Sequence, residues 1–291
     1  MTATSGKALE QLAQRYADFI EANPDVSVGH LCYAVNTGRA ALAQRAVFYG
    51  HDSEPDVLVK NLRAYASAPE YSAMAVGKAN DVSSNVAMIF PSTLDASTMS
   101  CQYLFNTQPA FRHAIEKCGV SEQLFRGDRR RSVSFADSAV FAVVYGLYCM
   151  RTSWGVKPTI LLGNGIGEVV AAVCSGVLEL EYALNILGGT KIEAGRVEGP
   201  TVGLICPRTG KLRTAPSSDR NFLSSFAEKS EDVSAVLRMM AQCGARVAIA
   251  LGSADSPIFS TFSKLLLSDA RFTRYSTCRR GVTVPMTGSR R

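Results

Sequence analysis

Three glycines at alternate positions frame a turn whose layout is typical of acyl-transfer chemistry. Gly163, Gly165 and Gly167 follow the apolar run Thr159–Leu162 and precede an apolar helix pattern. A nucleophile elbow, G-x-S-x-G, has this strand-turn-helix layout, and its central serine attacks an acyl carbonyl. Here the central residue is Gly165, which has no side chain. The sequence therefore predicts the frame of an acyl-transfer site from which the nucleophile is missing.

The other candidate nucleophiles have no neighbouring acid or base in the sequence that could activate them. Cys174 follows Val173 on the same apolar helix pattern, with no histidine nearby to lower its pKa, and we interpret it as a buried structural thiol. Asp95 and Asp137, as acyl-accepting carboxylates, have no acid or base partner in view. The three glycines also lack the G-x-G-x-x-G spacing of a dinucleotide loop and the lysine of a P-loop.

Histidines and cysteines form no metal-binding pattern. The three histidines, His30, His51 and His113, all precede the turn. We interpret His51 and His113 as surface or capping groups. The eight cysteines are scattered without a C-x-x-C pair. The sequence therefore predicts no metal and no cofactor, and a chain with reduced thiols in the cytoplasm.

The composition is that of a globular chain of 291 residues, with 47% hydrophobic and 19% charged residues. The net charge of +6 includes Arg129–Arg131 and a basic tail from Arg279 to Arg291. We interpret these charges as solvated surface, and predict no nucleic-acid partner. No apolar run is long enough for a signal sequence or a membrane span. Trp154, at the end of an apolar helix pattern, is expected in the core.

Alternating strand and helix patterns predict an α/β fold with parallel strands and helices on both faces. Residues 1–82 mix helix and strand patterns, and the segment Pro69–Ser84 is predicted to be a domain boundary. Residues 83–291 form the predicted second domain. Within it, Val86–Phe90 and Thr159–Leu162 are typical of buried parallel strands. The remaining predicted elements after residue 84 are helices 97–118, 138–154, 167–175, 179–187 and 230–243, and strands 201–206 and 246–251.

In this order, the segments resemble the acyltransferase domain of modular type I polyketide synthases, preceded by the linker that joins ketosynthase to acyltransferase. The resemblance extends over nearly the whole chain. It implies a parallel-sheet acyltransferase core of the malonyl transacylase type after a small α+β linker domain. The residues on which it rests are Phe19–Pro24 and Leu31–Ala40 for the linker, and Val86–Phe90, Thr107–Arg112, Ser153–Pro158, Ala171–Leu184 and Gly244–Gly252 for the acyltransferase.

The positions at which the chain differs from the family pattern are those that carry out the family's chemistry. The family elbow is G-H-S-x-G-E, so Gly165 replaces the acyl-carrying serine and Asn164 replaces the neighbouring histidine. Thr93 stands where the resemblance implies an oxyanion-hole glutamine, and Asp95 adds a charge opposed to a developing oxyanion. No histidine follows the elbow to serve as base. Lys191 lies in the region of the substrate-binding arginine but lacks its bidentate guanidinium.

A further departure is the short connection after the elbow. About 33 residues separate Gly167 from Thr201, where the family has a small ferredoxin-like subdomain and the loop with the histidine. The sequence therefore predicts a deleted lid over the acyl pocket. Apolar surface near Val169–Val173 and Leu184–Leu187 is then expected to be exposed, and to be covered by a partner or by self-association.

Two hypotheses of function follow. In the first, the chain is a catalytically degenerate acyltransferase-like component of a bacterial polyketide synthase. It docks on a ketosynthase, an acyl carrier protein or a separate acyltransferase. In the second, it is an active acyl-CoA (malonyl-CoA):carrier-protein transacylase, or an acyl-carrier hydrolase, with a relocated nucleophile. The residues favour the first hypothesis, because residues that act as a unit lose their purpose together once the nucleophile is gone.

Overall fold

The computed structural model divides the chain into two compact units, Met1–Ser83 and Ser84–Arg291. We call them unit 1 and unit 2 and describe each by itself. The residues that the structure describes are 1–48, 54–68, 75–79, 85–94, 101–125, 133–188, 199–213, 233–252, 273–277 and 283–285.

Unit 1 is a small α+β unit in which three helices accompany a three-stranded antiparallel sheet of order β1-β2-β3. Serine side chains cap the first two helices, since the hydroxyl oxygens of Ser5 and Ser27 accept hydrogen bonds from the backbone N–H groups of Ala8 and His30. Its elements are β1 (Thr2–Ala3), α1 (Gly6–Ala22), α2 (Val28–Thr37), β2 (Gln44–Val47), α3 (Pro55–Ser67) and β3 (Ala75–Lys78).

The core of unit 1 lies mainly between α1 and α3. Leu9, Ala13 and Ala17 of α1 are fully buried at helical spacing, and Leu58 and Leu62 of α3 pack in the same cluster. In α2, by contrast, only Val28 is buried. The helix pair therefore provides most of the apolar burial that holds unit 1 together, and α2 contributes little.

Strand β3 lies inside the segment that the sequence predicted to be only a domain boundary. Its backbone pairs with β2, with Val47 opposite Ala75 and Gln44 opposite Lys78. This strand is not evident in the sequence, because it contains small residues and a glycine. Strand propensity mainly reflects how side chains pack on a sheet, whereas β3 pairs with β2 through backbone groups alone.

Unit 2 contains a seven-stranded sheet of order β10-β9-β8-β4-β5-β6-β7. Its strands are β4 (Asn85–Phe90), β5 (Pro158–Gly163), β6 (Gly203–Ile205), β7 (Leu212–Arg213), β8 (Ala245–Ala250), β9 (Thr273–Thr277) and β10 (Thr283–Pro285). Its helices are α4 (Gln102–Thr107), α5 (Pro109–Lys117), α6 (Ser121–Phe125), α7 (Val133–Ser153), α8 (Ile166–Cys174), α9 (Leu180–Leu187) and α10 (Val233–Gln242).

Five adjacent strands of this sheet, β9-β8-β4-β5-β6, are parallel, and the antiparallel strands β10 and β7 border them. The prediction of a mostly parallel α/β sheet is therefore confirmed. The sequence missed the short strands β7, β9 and β10, because a strand of two to five residues has too few alternating positions to show a pattern.

Residues of β4 alternate between two buried clusters on opposite faces of the sheet. Met88 and Phe90 pack with α5, α7 and α8, whereas Ala87 and Ile89 pack with Val236 and other residues of α10. Successive side chains of a strand point to opposite faces, so a strand covered on both faces is apolar throughout. This explains the uninterrupted apolar run in the sequence.

Two expectations about apolar side chains were wrong. Trp154 is 50% exposed, and the Arg151 guanidinium lies over its ring, 4.8 Å from the centroid. Val169–Ala172 are buried rather than exposed, because α8 packs between the long helix α7 and the sheet. Val173 and Leu184–Leu187 are partly buried. The expected apolar surface on α8 therefore gives no support to self-association.

Candidate functional site

The candidate site lies where β5 turns into α8. Gly165 is the N-cap of α8, with φ 52° and ψ −120°. This positive φ is strained for a residue with a Cβ, and a glycine accepts it at little cost. The turn therefore has the sharp strand-to-helix backbone of a nucleophile elbow, with no side chain at its apex.

The outer two glycines are required by close approach of the backbone. A Cβ at Gly163 would overlap the carbonyl group of Gly167, and a Cβ at Gly167 would overlap the carbonyl group of Phe90. The backbone N–H of Asn164 also donates to the carbonyl oxygen of Phe90 at 3.2 Å. These contacts hold the first turn of α8 tightly against β4 and β5.

Gly165 itself has more room. A Cβ built there meets one side chain, that of Ser92, at a Cβ–Cβ distance of 3.1 Å. Ser92 lies just after β4, on the loop that the sequence comparison assigned to the oxyanion hole. The neighbouring Thr93, which we predicted at the oxyanion position, is exposed. Sequence reasoning missed Ser92, because only the fold brings this loop against the elbow.

Candidate bases do not lie on the elements that form the elbow. His113 is exposed on α5, and His30 is exposed on α2 of unit 1. His51, Asp95 and Lys191 lie outside the described residues. The same holds for the arginines of the basic runs, which are Arg129–Arg131, Arg279, Arg280, Arg290 and Arg291. Asp137 lies on α7 and is partly buried. Within the described ranges, no group of three or more His, Cys, Asp or Glu side chains is arranged to hold a metal ion.

Cys174 is unsuited to replace the missing nucleophile. It lies nine residues after Gly165, which corresponds to about 13 Å along the helix. It packs against the apolar core of unit 2, and burial raises its pKa well above that of an ordinary thiol. The structure therefore supports its interpretation as a structural thiol.

Cys206 is a second thiol near the elbow, which the sequence did not single out. Leu162 of β5 is paired with Ile205 of β6, so the residues that follow them, Gly163 and Cys206, are level at the carboxyl edge of the sheet. Burial alone would raise the pKa of Cys206. Hydrogen bonds from Thr209 and Arg208 and the charge of Arg208 outweigh it and lower that pKa.

Unit 1 has a different kind of candidate feature, a high share of the exposed large hydrophobic side chains. Among the described residues nine large hydrophobic side chains are exposed, and seven of them belong to unit 1. Tyr33 on α2 is 72% exposed. Those of unit 1 are Phe19, Val26, Tyr33, Leu42, Val47, Val57 and Val76.

A cavity of about 70 Å³ lies beside α2, lined by residues that include Tyr16, Leu31 and Phe48. The hydroxyl of Tyr16 is buried and has no hydrogen-bond partner within the described residues. Since α2 buries only Val28, it packs loosely on unit 1. A helix with so little buried surface gains stability if a partner covers its exposed side.

No helix in the described part of the chain combines the length and apolar character needed to cross a bilayer.

Residues 1–62 match the family of the C-terminal segment of CurL-like polyketide synthases. The chain is also similar to curated proteins. It is 29% identical over 192 residues to the spectinabilin polyketide synthase system protein NorA of Streptomyces orinoci. This alignment covers 62% of the chain and 10% of NorA. It is 30% identical over 212 residues to polyketide synthase GfsB of Streptomyces halstedii. This alignment covers 68% of the chain and 4% of GfsB.

Among solved structures, the acyltransferase domain from module 8 of the salinomycin polyketide synthase superposes with a TM-score of 0.77 at 15% identity. The alignment covers 96% of this chain and 90% of that domain. The chain thus has the acyltransferase-domain fold, and the predicted resemblance is confirmed. The chain spans only about a tenth of the length of curated relatives such as NorA.

Proposed function

Because the chain resembles, in sequence and in fold, the linker and acyltransferase segment of modular type I polyketide synthases, we propose that it is a noncatalytic docking component of such an assembly line. Its partner would be a ketosynthase, an acyl carrier protein or a separate acyltransferase. The proposed location is the cytoplasm, and residues 1–82 and 83–291 are the proposed linker-like and acyltransferase-like domains.

Three features of the elbow support the noncatalytic part of the proposal. Gly165 has no nucleophile, and Asn164 and Thr93 stand at positions where the family has other polar groups. All three histidines of the chain precede the elbow, and the two described ones are exposed. An elbow without nucleophile and base cannot form and release an acyl-enzyme.

The short connection after α9 supports the proposal that the lid is missing. Helix α9 ends at Leu187 and β6 begins at Gly203, which leaves fifteen residues, 188–202, between them. Fifteen residues are too few for a subdomain with its own core. A pocket without this cover would leave an acyl group open to water.

The docking part rests mainly on the exposed apolar side chains of unit 1. This unit makes up less than a third of the chain and holds seven of the nine exposed large hydrophobic side chains among the described residues. A contiguous exposed apolar patch typically marks a protein interface, and the proposal is that part of this set forms such a patch. Tyrosine, with its large rigid ring and polar hydroxyl, is enriched among residues that dominate interface energies.

Binding measurements with two matched tyrosine variants test this proposal. The full chain is titrated against purified ketosynthase domains and holo acyl carrier proteins of the assembly line encoded beside it. Tyr33→Ser is expected to weaken binding about tenfold or more. Tyr103→Ser, which removes a ring that is 64% exposed in unit 2, is expected to leave the affinity unchanged.

Three results would contradict the proposal. The first is the absence of binding to every ketosynthase and carrier tested, and the second is an equal effect of both tyrosine variants. The third is catalytic turnover, measured as transfer of malonyl groups from malonyl-CoA to a holo carrier protein above the uncatalysed rate.

A further inference from the structure

Two adjoining cavities lie beside the contact between α1 and α2 of unit 1. The first is the cavity of about 70 Å³ described above, and the second has a volume of about 80 Å³. Tyr16 of α1 and both Val35 and Asn36 of α2 line the two cavities. Met1 lines both as well, and its nitrogen donates to the carbonyl oxygen of Ala46 at 2.9 Å. Because the cavities share these residues, one ligand can reach into both.

The walls of the two cavities differ in chemistry. The first is lined mainly by apolar side chains, which are those of Ile20, Leu31, Phe48, Leu58 and Leu62. The second adds the polar side chains of Thr2 and Arg39. Among the described residues that line either cavity, none is an aspartate or a glutamate. The pair of cavities therefore suits a ligand with one apolar end and one negatively charged end.

Two polar groups at the second cavity are available to such a charged end. The Tyr16 hydroxyl is buried and lacks a hydrogen-bond partner within the described residues. The Arg39 guanidinium lies over the Tyr16 ring, 5.7 Å from its centroid, and forms no ion pair with a described residue. The Thr2 hydroxyl, in contrast, already donates to the carbonyl oxygen of Ala40 at 2.8 Å. A buried hydroxyl without a partner is costly, so a ligand that accepts its hydrogen bond gains affinity.

The cavity volumes fit a short ligand. A cavity of about 150 Å³ holds one benzene molecule in another protein, so each of these two cavities holds about three heavy atoms. Asn36, which lines both, is exposed. The site is therefore open to solvent beside α2 and can hold a slightly longer chain. A carboxylate of about six carbons has the expected size.

We infer that the two cavities form one binding site for a short-chain aliphatic carboxylate. The alkyl chain lies in the first cavity against Leu31 and Phe48. The carboxylate lies in the second cavity, where it accepts hydrogen bonds from the Tyr16 hydroxyl and the Arg39 guanidinium. This inference goes beyond docking and does not depend on it, because Tyr33, the residue tested for docking, lines neither cavity.

NMR titration of the full chain with three compounds of matched length tests the inference. Hexanoate is expected to cause saturable chemical-shift changes at α2 and at the side-chain amide of Asn36. Its dissociation constant should be on the order of 1 mM, because so small a ligand makes few contacts. Hexan-1-ol, which lacks the charge, should bind about tenfold more weakly. Hexylamine, with the opposite charge, should cause no saturable change.

Two arginine variants separate a specific contact from a general effect of charge. Arg39→Gln is expected to weaken hexanoate binding about tenfold and to leave hexan-1-ol binding unchanged. Arg15→Gln removes the same charge from an exposed residue that lines neither cavity. This matched variant should bind hexanoate as the unmodified chain does. Leu31→Phe, which fills the first cavity, should weaken the binding of both hexanoate and hexan-1-ol.

Tyr16→Phe distinguishes a ligand contact from a structural role of the hydroxyl. The free energy of unfolding should stay the same or rise, because a buried polar group without a partner is removed. Hexanoate binding should nevertheless weaken about fivefold. A lower free energy of unfolding would show that the hydroxyl has a partner in the free protein, and would contradict its role in the site.

Three results of the titrations would overturn the inference. They are the absence of saturable shifts with hexanoate, equal binding of hexanoate and hexylamine, and an equal effect of Arg15→Gln and Arg39→Gln. The titration of the unmodified chain is decisive even if a variant fails to fold. All these measurements are made without a protein partner, so carboxylate binding and docking can fail separately.

Discussion

At the level of single residues, the three elbow glycines have two different physical roles. Gly163 and Gly167 let a helix and two strands approach so closely that any Cβ would overlap a carbonyl group. Gly165 instead adopts a positive φ, and the space beside it is limited by the side chain of one loop residue, Ser92. The frame glycines are therefore fixed by packing, whereas the apex could hold a small side chain at a moderate cost.

Gly165→Ser should lower the free energy of unfolding by about 1–3 kcal/mol, because a side chain is strained at this φ. Part of this cost comes from the 3.1 Å approach to Ser92. Ser92→Gly should therefore reduce it, and denaturant unfolding of both single variants and the double variant measures the coupling. Gly167→Ala should cost more than Gly165→Ser. Equal costs would show that the close contact between Gly167 and the carbonyl group of Phe90 does not hold α8 in place.

At the level of elements, the packing of α5 on α7 depends on Gly146. A Cβ at this position would lie 2.9 Å from the Cδ2 and Cε2 atoms of Phe111, whose side chain is fully buried. Helix α7 thus accepts a glycine within its length, where alanine would be a better helix former by about 1 kcal/mol. Close approach of the two helices explains this choice.

Gly146→Ala should destabilise unit 2 by about 1–3 kcal/mol despite its better helix propensity, because the Phe111 ring has no room to move. Thermal unfolding measures this effect. Phe111→Leu should make the additional cost of Gly146→Ala smaller. As a control, Gly6→Ala at the start of α1 has nothing within 4 Å and should be neutral or slightly stabilising. A stabilised Gly146→Ala variant would contradict this account of the helix contact.

For the whole molecule, each of the two units has a buried core of its own. The core of unit 1 includes Leu9, and the larger of the two cores of unit 2 includes Phe141, both fully buried. The proposed docking residues belong to unit 1. Docking should therefore respond to damage in unit 1 and not to damage in unit 2.

Leu9→Ala should destabilise unit 1 by about 2–5 kcal/mol, and Phe141→Ala should destabilise unit 2 by about 3–5 kcal/mol. Hydrogen exchange followed by mass spectrometry distinguishes the units, because peptides from each report its own opening. We expect Leu9→Ala to increase exchange in α1 and α3, and Phe141→Ala in α7 and β4. Increased exchange throughout the chain in both variants would show that the units unfold together.

Local patterns in the sequence were enough to predict the main elements of the fold. Val86–Phe90 and the run before Gly163 are apolar throughout because both faces of β4 and β5 are buried. A strand buried on both faces leaves a short apolar run, and a helix of this length leaves apolar residues at helical spacing. Both patterns can be seen without knowledge of the partner segments. The strand-turn-helix frame around Gly165 was also visible, since the glycines that permit it are adjacent in sequence.

The sequence by itself thus determined the α/β class, the order of the main elements and the absence of a side chain at the elbow. Only the tertiary structure decided that Ser92 faces Gly165, that Cys206 is level with Gly163 and that Trp154 is exposed. It also decided that β3 pairs with β2, although small residues conceal that strand. Periodicity and glycine content depend on residues close in the chain, whereas these contacts depend on the register and packing of segments tens of residues apart.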